Sequence, residues 1–455
     1  MRTNVLLLTV DDMNYDSIGA WGNPLPGVSP NIDRLAGEGM LLRNAHVTIA
    51  VCQPSRSVLL TGRYPHRNGA RGFERIDTSV TTLTEVLARH GYYNGVIGKE
   101  DHLAPRGKFA WNEYITTYND ANNWGRDPKP YYEYTRAFLK NADDADKPFF
   151  LMANSHDPHR PYVNSEDELA FFGRHIPADF EYRPEDVEVP GFLPDIPEVR
   201  REVAQYYSSV RRGDAIIGEV LRALDEAGHR DDTLVLFLSD NGVAMPFAKT
   251  NCYLNSTKSP WIVRWPGHVA PGTENQALVS GIDYMPTILD ALGIEPVPGM
   301  DGASVLSVLE QNLPEHHDTI YTSFFKTARN QVTHAERHYP MRCVQDKRYA
   351  YIFNAWSDQH AVFVNESMAG LTFKAMKEAA KDDAAIAERV HMCEYRVKEE
   401  LYDYQADPNA LHNLIDEPGQ AGRVAALRAL MHEYMARSGD ELLPEFEKQV
   451  PACSQ

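Results

Sequence analysis

Cysteine is scarce in this 455-residue chain, which has only five, at positions 52, 252, 343, 393 and 453. They are too few and too scattered for a disulfide-built scaffold, and no two have the close spacing of a zinc knuckle. If Cys52 serves in catalysis, the other four leave room for one or two disulfides. The sequence therefore argues against both the disulfide-rich and the zinc-knuckle classes of protein.

Positive charge is also in short supply, and long apolar runs are missing. Lysine and arginine number 45 against 64 aspartates and glutamates, which gives a formal net charge of −19. This balance argues against nucleic acid or an anionic membrane as a partner. No apolar run approaches the roughly 20 residues of a membrane-spanning helix. An anionic substrate would need a locally basic pocket on an acidic body.

No signal peptide is visible, because an apolar strand pattern begins directly after Met1-Arg2-Thr3. The sequence as it stands predicts a cytoplasmic protein, or a periplasmic or secreted one if a leader has been trimmed. Its length predicts two domains. A content of 43% hydrophobic and 24% charged residues is typical of a globular protein.

Short apolar runs alternate with helical patterns through most of the chain. Residues 4–10, 149–153 and 233–238 are continuous apolar runs, typical of strands that are buried on both faces. Further strands are predicted at 93–97, 261–265 and 320–324, and helices at 30–36, 83–90, 199–227 and 284–292. This alternation favours an α/β fold with a large, mostly parallel sheet sandwiched by helices.

The alternation fades after about residue 338. Residues 342–354 and 400–404 suggest a smaller sheet, with helices near 371–390 and 420–437. Residues 177–197 contain five prolines and are predicted to form an irregular surface loop. We therefore predict a first domain over residues 1–338 and a smaller C-terminal α+β domain over residues 339–455.

The most informative motif is Cys52-Gln53-Pro54-Ser55-Arg56, followed by Leu59-Leu60-Thr61-Gly62-Arg63. Pro54 predicts the first turn of a helix, and a helix N-terminus offers unpaired N–H groups and partial positive charge to an anion. Arg56 adds a planar guanidinium suited to a tetrahedral oxyanion. A lone cysteine is more often an ordinary buried residue. Within this string, Cys52 is interpreted as the precursor of a nucleophile that faces a sulfate or phosphate.

Adjacent carboxylates, Asp11 and Asp12, follow the first predicted strand, and Asp240-Asn241-Gly242 follows another. Polar groups past the carboxyl ends of parallel strands converge on one crevice. Two neighbouring carboxylates repel each other unless a positive charge lies between them, although a solvated turn would explain the pair equally well by itself. Four hard oxygen donors favour calcium or magnesium over zinc, and an all-protein oxygen cage favours calcium.

Basic and imidazole side chains are expected around the bound anion. They are Arg56, Lys99, His102, His159 and Lys249. Each has an ordinary alternative, because exposed lysines are common and a lone histidine is more often structural. Together they would neutralise a dianion and offer two imidazoles for proton transfer.

The whole chain resembles the type I sulfatases of the alkaline-phosphatase-like superfamily. The resemblance is carried by the cysteine motif and by Thr9-Val10-Asp11-Asp12, Ile97-Gly98-Lys99, Ser239-Asp240-Asn241-Gly242 and Val263-Arg264-Trp265-Pro266-Gly267. It implies that a maturation enzyme oxidises Cys52 to formylglycine. It also implies that calcium is bound by Asp11, Asp12, Asp240, Asn241 and the modified Cys52, and that the sulfate pocket is lined by Arg56, Lys99, His102, His159 and Lys249. A homodimer would be compatible with the family.

Within that family the chain is most similar to the heparan N-sulfatases, or sulfamidases. The supporting segments are His156-Asp157-Pro158-His159-Arg160, Lys249-Thr250-Asn251 with Tyr253, and Tyr339-Pro340-Met341-Arg342. The implied substrate is a sulfated saccharide with an N-sulfoglucosamine end-group. Two positions depart from the pattern: His102 follows Lys99 by three residues instead of two, and Lys249 stands where sulfamidases carry arginine.

The resemblance implies a mechanism in two steps. The hydrated aldehyde of residue 52 attacks sulfur while His159 protonates the departing atom, and His102 then accepts a proton as sulfate is expelled. Three alternatives stay open. They are an O-sulfatase acting on another glycan, a phosphonate or phosphodiester hydrolase on the same scaffold, and a non-catalytic saccharide-binding protein that keeps Cys52 as a thiol.

Overall fold

Two sheets organise the protein in the computed structural model, which describes residues 2–327 and 337–450. The larger sheet consists of β1 (Asn4–Val10), β2 (Met40–His46), β3 (Tyr93–Ile97), β4 (Glu113–Ile115), β5 (Phe149–Asn154), β6 (Thr233–Ser239), β7 (Trp261–Arg264) and β8 (Thr273–Ser280). Their order across the sheet is β4-β3-β5-β1-β6-β7-β2-β8. Neighbouring strands are parallel except where β7 pairs with β6 and β2. The predicted large, mostly parallel sheet is confirmed.

Both faces of the larger sheet are covered, as the apolar strand runs predict. In β1, Leu6 and Leu8 belong to one hydrophobic cluster, whereas Val5 and Leu7 belong to another. Because successive side chains of a strand point to opposite faces, the two clusters lie on the two sides of the sheet.

Helices pack around both sheets. In chain order they are α1 (Pro30–Gly37), α2 (Cys52–Leu59), α3 (Pro65–Asn68), α4 (Leu83–Arg89), α5 (Pro128–Asp144), α6 (Glu166–Phe172), α7 (Pro197–Glu226), α8 (Leu254–Thr257), α9 (Tyr284–Ala291), α10 (Leu306–Gln311), α11 (Leu371–Ala379), α12 (Ala384–Tyr395), α13 (Ala421–Ser438) and α14 (Leu443–Gln449). No helix crosses the predicted irregular loop between residues 177 and 196.

The smaller sheet is antiparallel and has the strand order β12-β11-β10-β9. Its strands are β9 (Ile320–Lys326), β10 (His338–Gln345), β11 (Tyr349–Asn354) and β12 (Glu399–Asp403). Buried Arg342 forms a two-pronged ion pair with Asp440, at 2.5 and 2.8 Å, and so ties this sheet to the segment between α13 and α14. The boundary between residues 338 and 339 stays a prediction, and β9 belongs to the smaller sheet although it precedes that position.

Three features differ from the sequence-based expectations. The predicted strand at 320–324 was expected in the larger sheet, but it pairs with β10 because their apolar residues meet there. The predicted helix at 371–390 is two helices, since the Asp383 side chain accepts the N–H groups of Ala385 and Ile386 and starts a new helix. Strands β2, β4 and β8 mix polar and apolar residues and were not predicted, and neither was helix α5.

The cysteines form no bridges among the described residues. Cys52, Cys252, Cys343 and Cys393 are free and buried, and Cys453 lies outside the described residues. Over residues 2–327 and 337–450, none of the helices combines the length and the apolar character that crossing a membrane requires.

Candidate active site

Three central strands of the larger sheet end next to one another. Val10 pairs with Ser239 across β1 and β6, and Thr9 pairs with Asn154 across β1 and β5. The residues that follow, Asp11-Asp12 and Asp240-Asn241, therefore emerge side by side. This is the crevice that the sequence predicts from the carboxyl ends of parallel strands.

The acidic residues of the crevice are fully buried and connected to one another. The backbone N–H of Asp12 donates to Oδ1 of Asp240 at 3.2 Å, and Nδ2 of Asn241 donates to Oδ1 of Asp12 at 2.7 Å. Asp12 has a φ of 64°, a conformation that an aspartate tolerates better than most residues. The turn thus points two consecutive carboxylates into one space.

The three carboxylates differ in how readily they ionise. Burial, with repulsion from the Asp11 carboxylate, raises the pKa of both Asp12 and Asp240 to about 7. Burial would also raise the pKa of Asp11, but Lys99 and the other cations around it hold that pKa well below its usual range. Asp12 and Asp240 resist ionisation beside the ionised Asp11, and a group of buried carboxylates of this kind is suited to a divalent cation.

The donor set fits a hard cation. Oδ1 of Asn241 is buried and has no hydrogen-bond partner among the described residues. One ligand atom from each of Asp11, Asp12, Cys52 and His159 lies within 4.8 Å of the others. Asp240 is placed differently from the other acids, because its two oxygens are held by the Asp12 backbone and by Arg56. Carboxylate and amide oxygens are ligands that Ca²⁺ and Mg²⁺ prefer.

Cys52 is the first residue of α2, as its proline-containing motif predicts, and its side chain lies at the centre of the crevice. Its Sγ is 3.3 Å from Oδ1 of Asp11, 4.0 Å from Oδ1 of Asp12 and 3.2 Å from Nζ of Lys249. The residue is only 1% exposed. Burial, together with the charge of Asp11, raises the pKa of the Cys52 thiol well above its usual value. An unmodified thiol here would be a poor nucleophile, because the reactive form is the thiolate.

Arg56 lies one turn along α2 and is held by three partners. Nη1 donates to Thr9 at 2.5 Å and to Asn154 at 2.6 Å, and Nη2 donates to Asp240 at 2.7 Å. The guanidinium is fully buried, and its Nε has no hydrogen-bond partner among the described residues. Arg56 is therefore a fixed positive charge at the floor of the crevice.

Lys99 and His102 follow the end of β3: Lys99 contacts the site directly, and His102 lies near enough for the charges of Lys99 and Asp11 to act on its imidazole. Lys99 has a φ of 51°, and its Nζ forms an ion pair with Oδ2 of Asp11. The additional residue before His102 is accommodated by one turn of 3-10 helix, Glu100–His102. Burial, and then the charge of Lys99, lowers the pKa of His102 well below its usual value, so this imidazole is neutral. A neutral imidazole can accept a proton.

His159 and Lys249 complete the group of predicted residues. Nε2 of His159 is 3.8 Å from Oδ2 of Asp12, and Nζ of Lys249 is 2.8 Å from Oδ1 of the same residue. His159 is 32% exposed, whereas Lys249 is 1% exposed. Burial and the charges of Lys249 and Lys99 lower the pKa of His159 to about 4. His159 thus lies at the outer end of the crevice and Lys249 at its base.

Sequence reasoning missed three residues of this site. Thr9 and Asn154 hold Arg56, and both lie at strand ends, where their positions could have been noticed. Glu366 forms an ion pair with Lys249 through its carboxylate. It comes from the segment after β11, more than 100 positions from Lys249, and no local sequence pattern indicates that it belongs to the site.

A second cluster of metal-ligand type lies away from the crevice and has a structural explanation. Asp283, His316 and His317 place their ligand atoms within 4.8 Å of one another. The Asp283 carboxylate accepts the N–H groups of Ser280 and Ala303 and a ring nitrogen of His317. Its contacts therefore fix the start of α9.

Comparison with known proteins connects this geometry to characterised families. A family model described as "Sulfatase" matches residues 3–294. A second family model, described as "N-sulphoglucosamine sulphohydrolase, C-terminal", matches residues 243–366. The first match contains every predicted site residue. The second contains Lys249 and Glu366.

Similar proteins extend over nearly the whole chain. N-sulphoglucosamine sulphohydrolase of Homo sapiens is 32% identical, over 95% of this chain and 89% of that protein. An ulvan-active sulfatase of Formosa agariphila is 29% identical, over 97% of this chain and 81% of that protein. A solved structure described as a complex with its substrate D-glucosamine-2-N,6-O-disulfate has a TM-score of 0.72 at 18% identity, over all of both chains. That last likeness establishes the fold.

Proposed function

The chain belongs to the sulfatase family, and on that premise we propose that it removes the N-sulfate group from an N-sulfoglucosamine end-group of a sulfated saccharide. The observation that carries the proposal is the 32% identity to human N-sulphoglucosamine sulphohydrolase, which spans 89% of that protein. The family model for the C-terminal part of the same enzymes supports it independently.

A second candidate is an O-sulfatase that acts on another glycan. It is favoured by the 29% identity to an ulvan-active sulfatase, which extends over 97% of this chain. The two candidates share the sulfate pocket and differ in the atom that leaves from sulfur. The distinction therefore depends on groups at the mouth of the crevice and not on its base.

A divalent cation, which we assign as calcium, would be held by Asp11, Asp12, Asp240, Asn241 and residue 52. When bound, it would act as a Lewis acid and lower the pKa of a hydroxyl at residue 52. The protein contributes buried carboxylates, of which two have pKa values near 7 without a cation. Magnesium fits less well, because it usually retains several waters.

Residue 52 would act as the nucleophile in its formylglycine form, in which the side-chain aldehyde supplies an oxygen nucleophile once hydrated. The position suits this chemistry, because the side chain begins α2 and is surrounded by Asp11, Asp12 and Lys249. The N–H groups at the start of α2 and the charges of Arg56, Lys99 and Lys249 would stabilise the sulfate oxygens.

His159 and His102 would divide the proton transfers between them. His159 is partly exposed at the crevice mouth, so it is placed to protonate the departing nitrogen or oxygen. Its low pKa in the free protein is caused by burial and by Lys249 and Lys99, and a bound sulfate would offset the two cations. His102 is neutral and would accept a proton as sulfate is released.

The decisive experiment compares sulfate or phosphate release from three substrates: N-sulfoglucosamine, an aryl sulfate and a phosphodiester. We expect the highest kcat/KM on N-sulfoglucosamine, and only trace activity on the phosphodiester. A preference for an O-sulfated sugar would favour the second candidate, and equal or greater phosphodiesterase activity would overturn both.

Peptide mass spectrometry on protein from its native host checks the nucleophile separately. We expect the peptide that contains residue 52 to lack an alkylatable thiol after denaturation. A thiol that is intact in every copy would favour a non-catalytic saccharide-binding protein.

A further inference from the structure

Glu366 joins the crevice from outside the larger sheet. Its carboxylate forms an ion pair with Nζ of Lys249, and the same Nζ lies 2.8 Å from Asp12 and 3.2 Å from Sγ of Cys52. Only one side chain therefore separates Glu366 from the reacting residue. Lys249 belongs to the proposed sulfate pocket, whereas Glu366 takes part in none of the proposed steps.

The backbone around Glu366 is anchored to the site on both sides. Oγ of Ser367 donates to the carbonyl oxygen of Lys249 at 2.9 Å, and Nη1 of Arg160 donates to the carbonyl oxygen of Glu366 at 3.3 Å. Arg160 is the residue directly after His159. Because these contacts fix the segment, the position of the carboxylate is part of the construction of the site.

Asp12, Lys249 and Glu366 form a row of alternating charges, and Glu366 is its exposed end. Its side chain is 39% exposed, whereas Lys249 and Asp12 are almost completely buried. Burial would raise the pKa of Glu366, but the charges of Lys249 and His159 lower it, so the carboxylate is ionised at neutral pH. It is a negative group at the mouth of a pocket that binds an anion.

N-sulfates and O-sulfates differ in the atom that leaves from sulfur, and that atom would lie next to the mouth of the crevice. Hydrolysis of R–NH–SO₃⁻ by one water breaks the S–N bond and gives R–NH₃⁺ and SO₄²⁻. The substrate therefore offers an N–H donor, and the product carries a positive charge at the same nitrogen. An O-sulfate leaves as a neutral alcohol, for which a carboxylate has no comparable use.

We infer that Glu366 is a specificity-determining residue for sulfated nitrogen, an inference that rests on the proposed function. Its carboxylate accepts a hydrogen bond from the sulfamate N–H and pairs with the ammonium group that forms as the S–N bond breaks. Lys249, which holds the other side of the carboxylate, keeps it ionised and in place.

The test is the substitution Glu366→Gln, which preserves shape and removes the charge. We expect kcat/KM for N-sulfoglucosamine to fall about 30-fold, the size of a lost charge-assisted hydrogen bond, and that for an aryl sulfate to change less than about threefold. Glu378→Gln, on the exposed surface of the nearby α11, is the matched control and should change neither.

Product inhibition is a second measurement, and it would not change if Glu366 had only a structural role. In the wild-type protein, glucosamine should inhibit aryl sulfate hydrolysis competitively, and Glu366→Gln should weaken that inhibition about 10-fold. Inhibition by uncharged N-acetylglucosamine should be equal in both proteins.

These measurements distinguish a failure of the inference about Glu366 from a failure of the proposed function. If Glu366→Gln lowers activity on both substrates equally and leaves glucosamine inhibition unchanged, Glu366 only orients Lys249 and the inference is wrong, while the proposed function stands. If the wild-type protein fails to cleave N-sulfoglucosamine, the proposed function is wrong and the inference falls with it. That failure is visible before any variant is made.

Discussion

Arg56 illustrates how much of the site depends on the shape of one side chain. Its guanidinium reaches Thr9, Asn154 and Asp240 at the same time, at 2.5 to 2.7 Å. A lysine ammonium carries the same charge but cannot reproduce this planar fork.

Substitution Arg56→Lys should therefore reduce kcat about 10²- to 10³-fold, a loss typical of removing a fixed donor to developing charge. The variant should also unfold at a lower denaturant concentration, because buried acceptors lose their donors. Steady-state kinetics and urea unfolding check the two effects. Retention of more than half of the wild-type kcat would contradict the role given to Arg56.

The carboxylates Asp12 and Asp240 predict a pH-dependent response to metal removal. Their pKa values near 7 in the cation-free fold lie above the usual value of 3.8. A carboxyl group whose pKa rises on folding binds its proton more tightly in the folded state, so stability falls as pH rises from 3.8 through 7.

Chelation should accordingly lower the Tm more at about pH 8 than at about pH 6. Differential scanning fluorimetry with EDTA, then with added Ca²⁺ or Mg²⁺, measures this, and Ca²⁺ should restore the Tm and the activity more fully. A chelator effect of the same size at both pH values would show that these two carboxylates do not bind the cation.

Tight backbone packing fixes the element that follows β6. A Cβ on Gly242 would lie 1.8 Å from the carbonyl oxygen of Asn255, which is a backbone atom in α8 and cannot swing away. The turn that carries Asp240 and Asn241 therefore requires glycine at position 242, because there is no room for a side chain.

Gly242→Ala should destabilise the protein by about 3 kcal/mol, at the upper end of what overpacking usually costs. It should also abolish the rise in Tm caused by Ca²⁺. Gly37→Ala is the matched control, because a Cβ there meets no atom within 4 Å. Equal unfolding midpoints for the two variants would contradict the clash.

The elements that could be predicted are those whose signal is local. Strands β1 and β6 are continuous apolar runs, and α2 is marked by its proline, so the centre of the crevice was predictable. Strand β8 is at the sheet edge, and its polar residues obscure the pattern of alternation. Glu366 could not be predicted, because a tertiary contact brings it to Lys249 from a distant part of the chain, and sequence spacing does not encode that contact.

At the scale of the whole molecule, the net charge of −19 opposes an anionic substrate. The positive groups that we propose for the sulfate pocket, Arg56, Lys99 and Lys249, are buried, so salt screens them less than it screens the acidic surface. Added salt should therefore weaken the repulsion more than the attraction.

For a multiply sulfated fragment we expect KM to fall as salt is raised from about 10 mM to about 150 mM, where the Debye length shortens from about 30 Å to about 8 Å. A singly charged aryl sulfate should respond less. Initial rates over a salt series measure both, and a KM that rises steeply with salt would indicate that attraction dominates.

If residue 52 is converted to formylglycine, as we propose, its burial in the folded protein limits when that modification can occur. Lys249, which covers the thiol, follows it by 197 positions. A ribosome adds about 5–20 residues per second, so roughly 10–40 seconds pass between the two. During that interval the proposed maturation enzyme could reach the cysteine in an extended peptide, whereas in the folded protein Cys52 is only 1% exposed. On the proposed function, a host without such an enzyme would accumulate folded copies that keep Cys52 as a buried thiol.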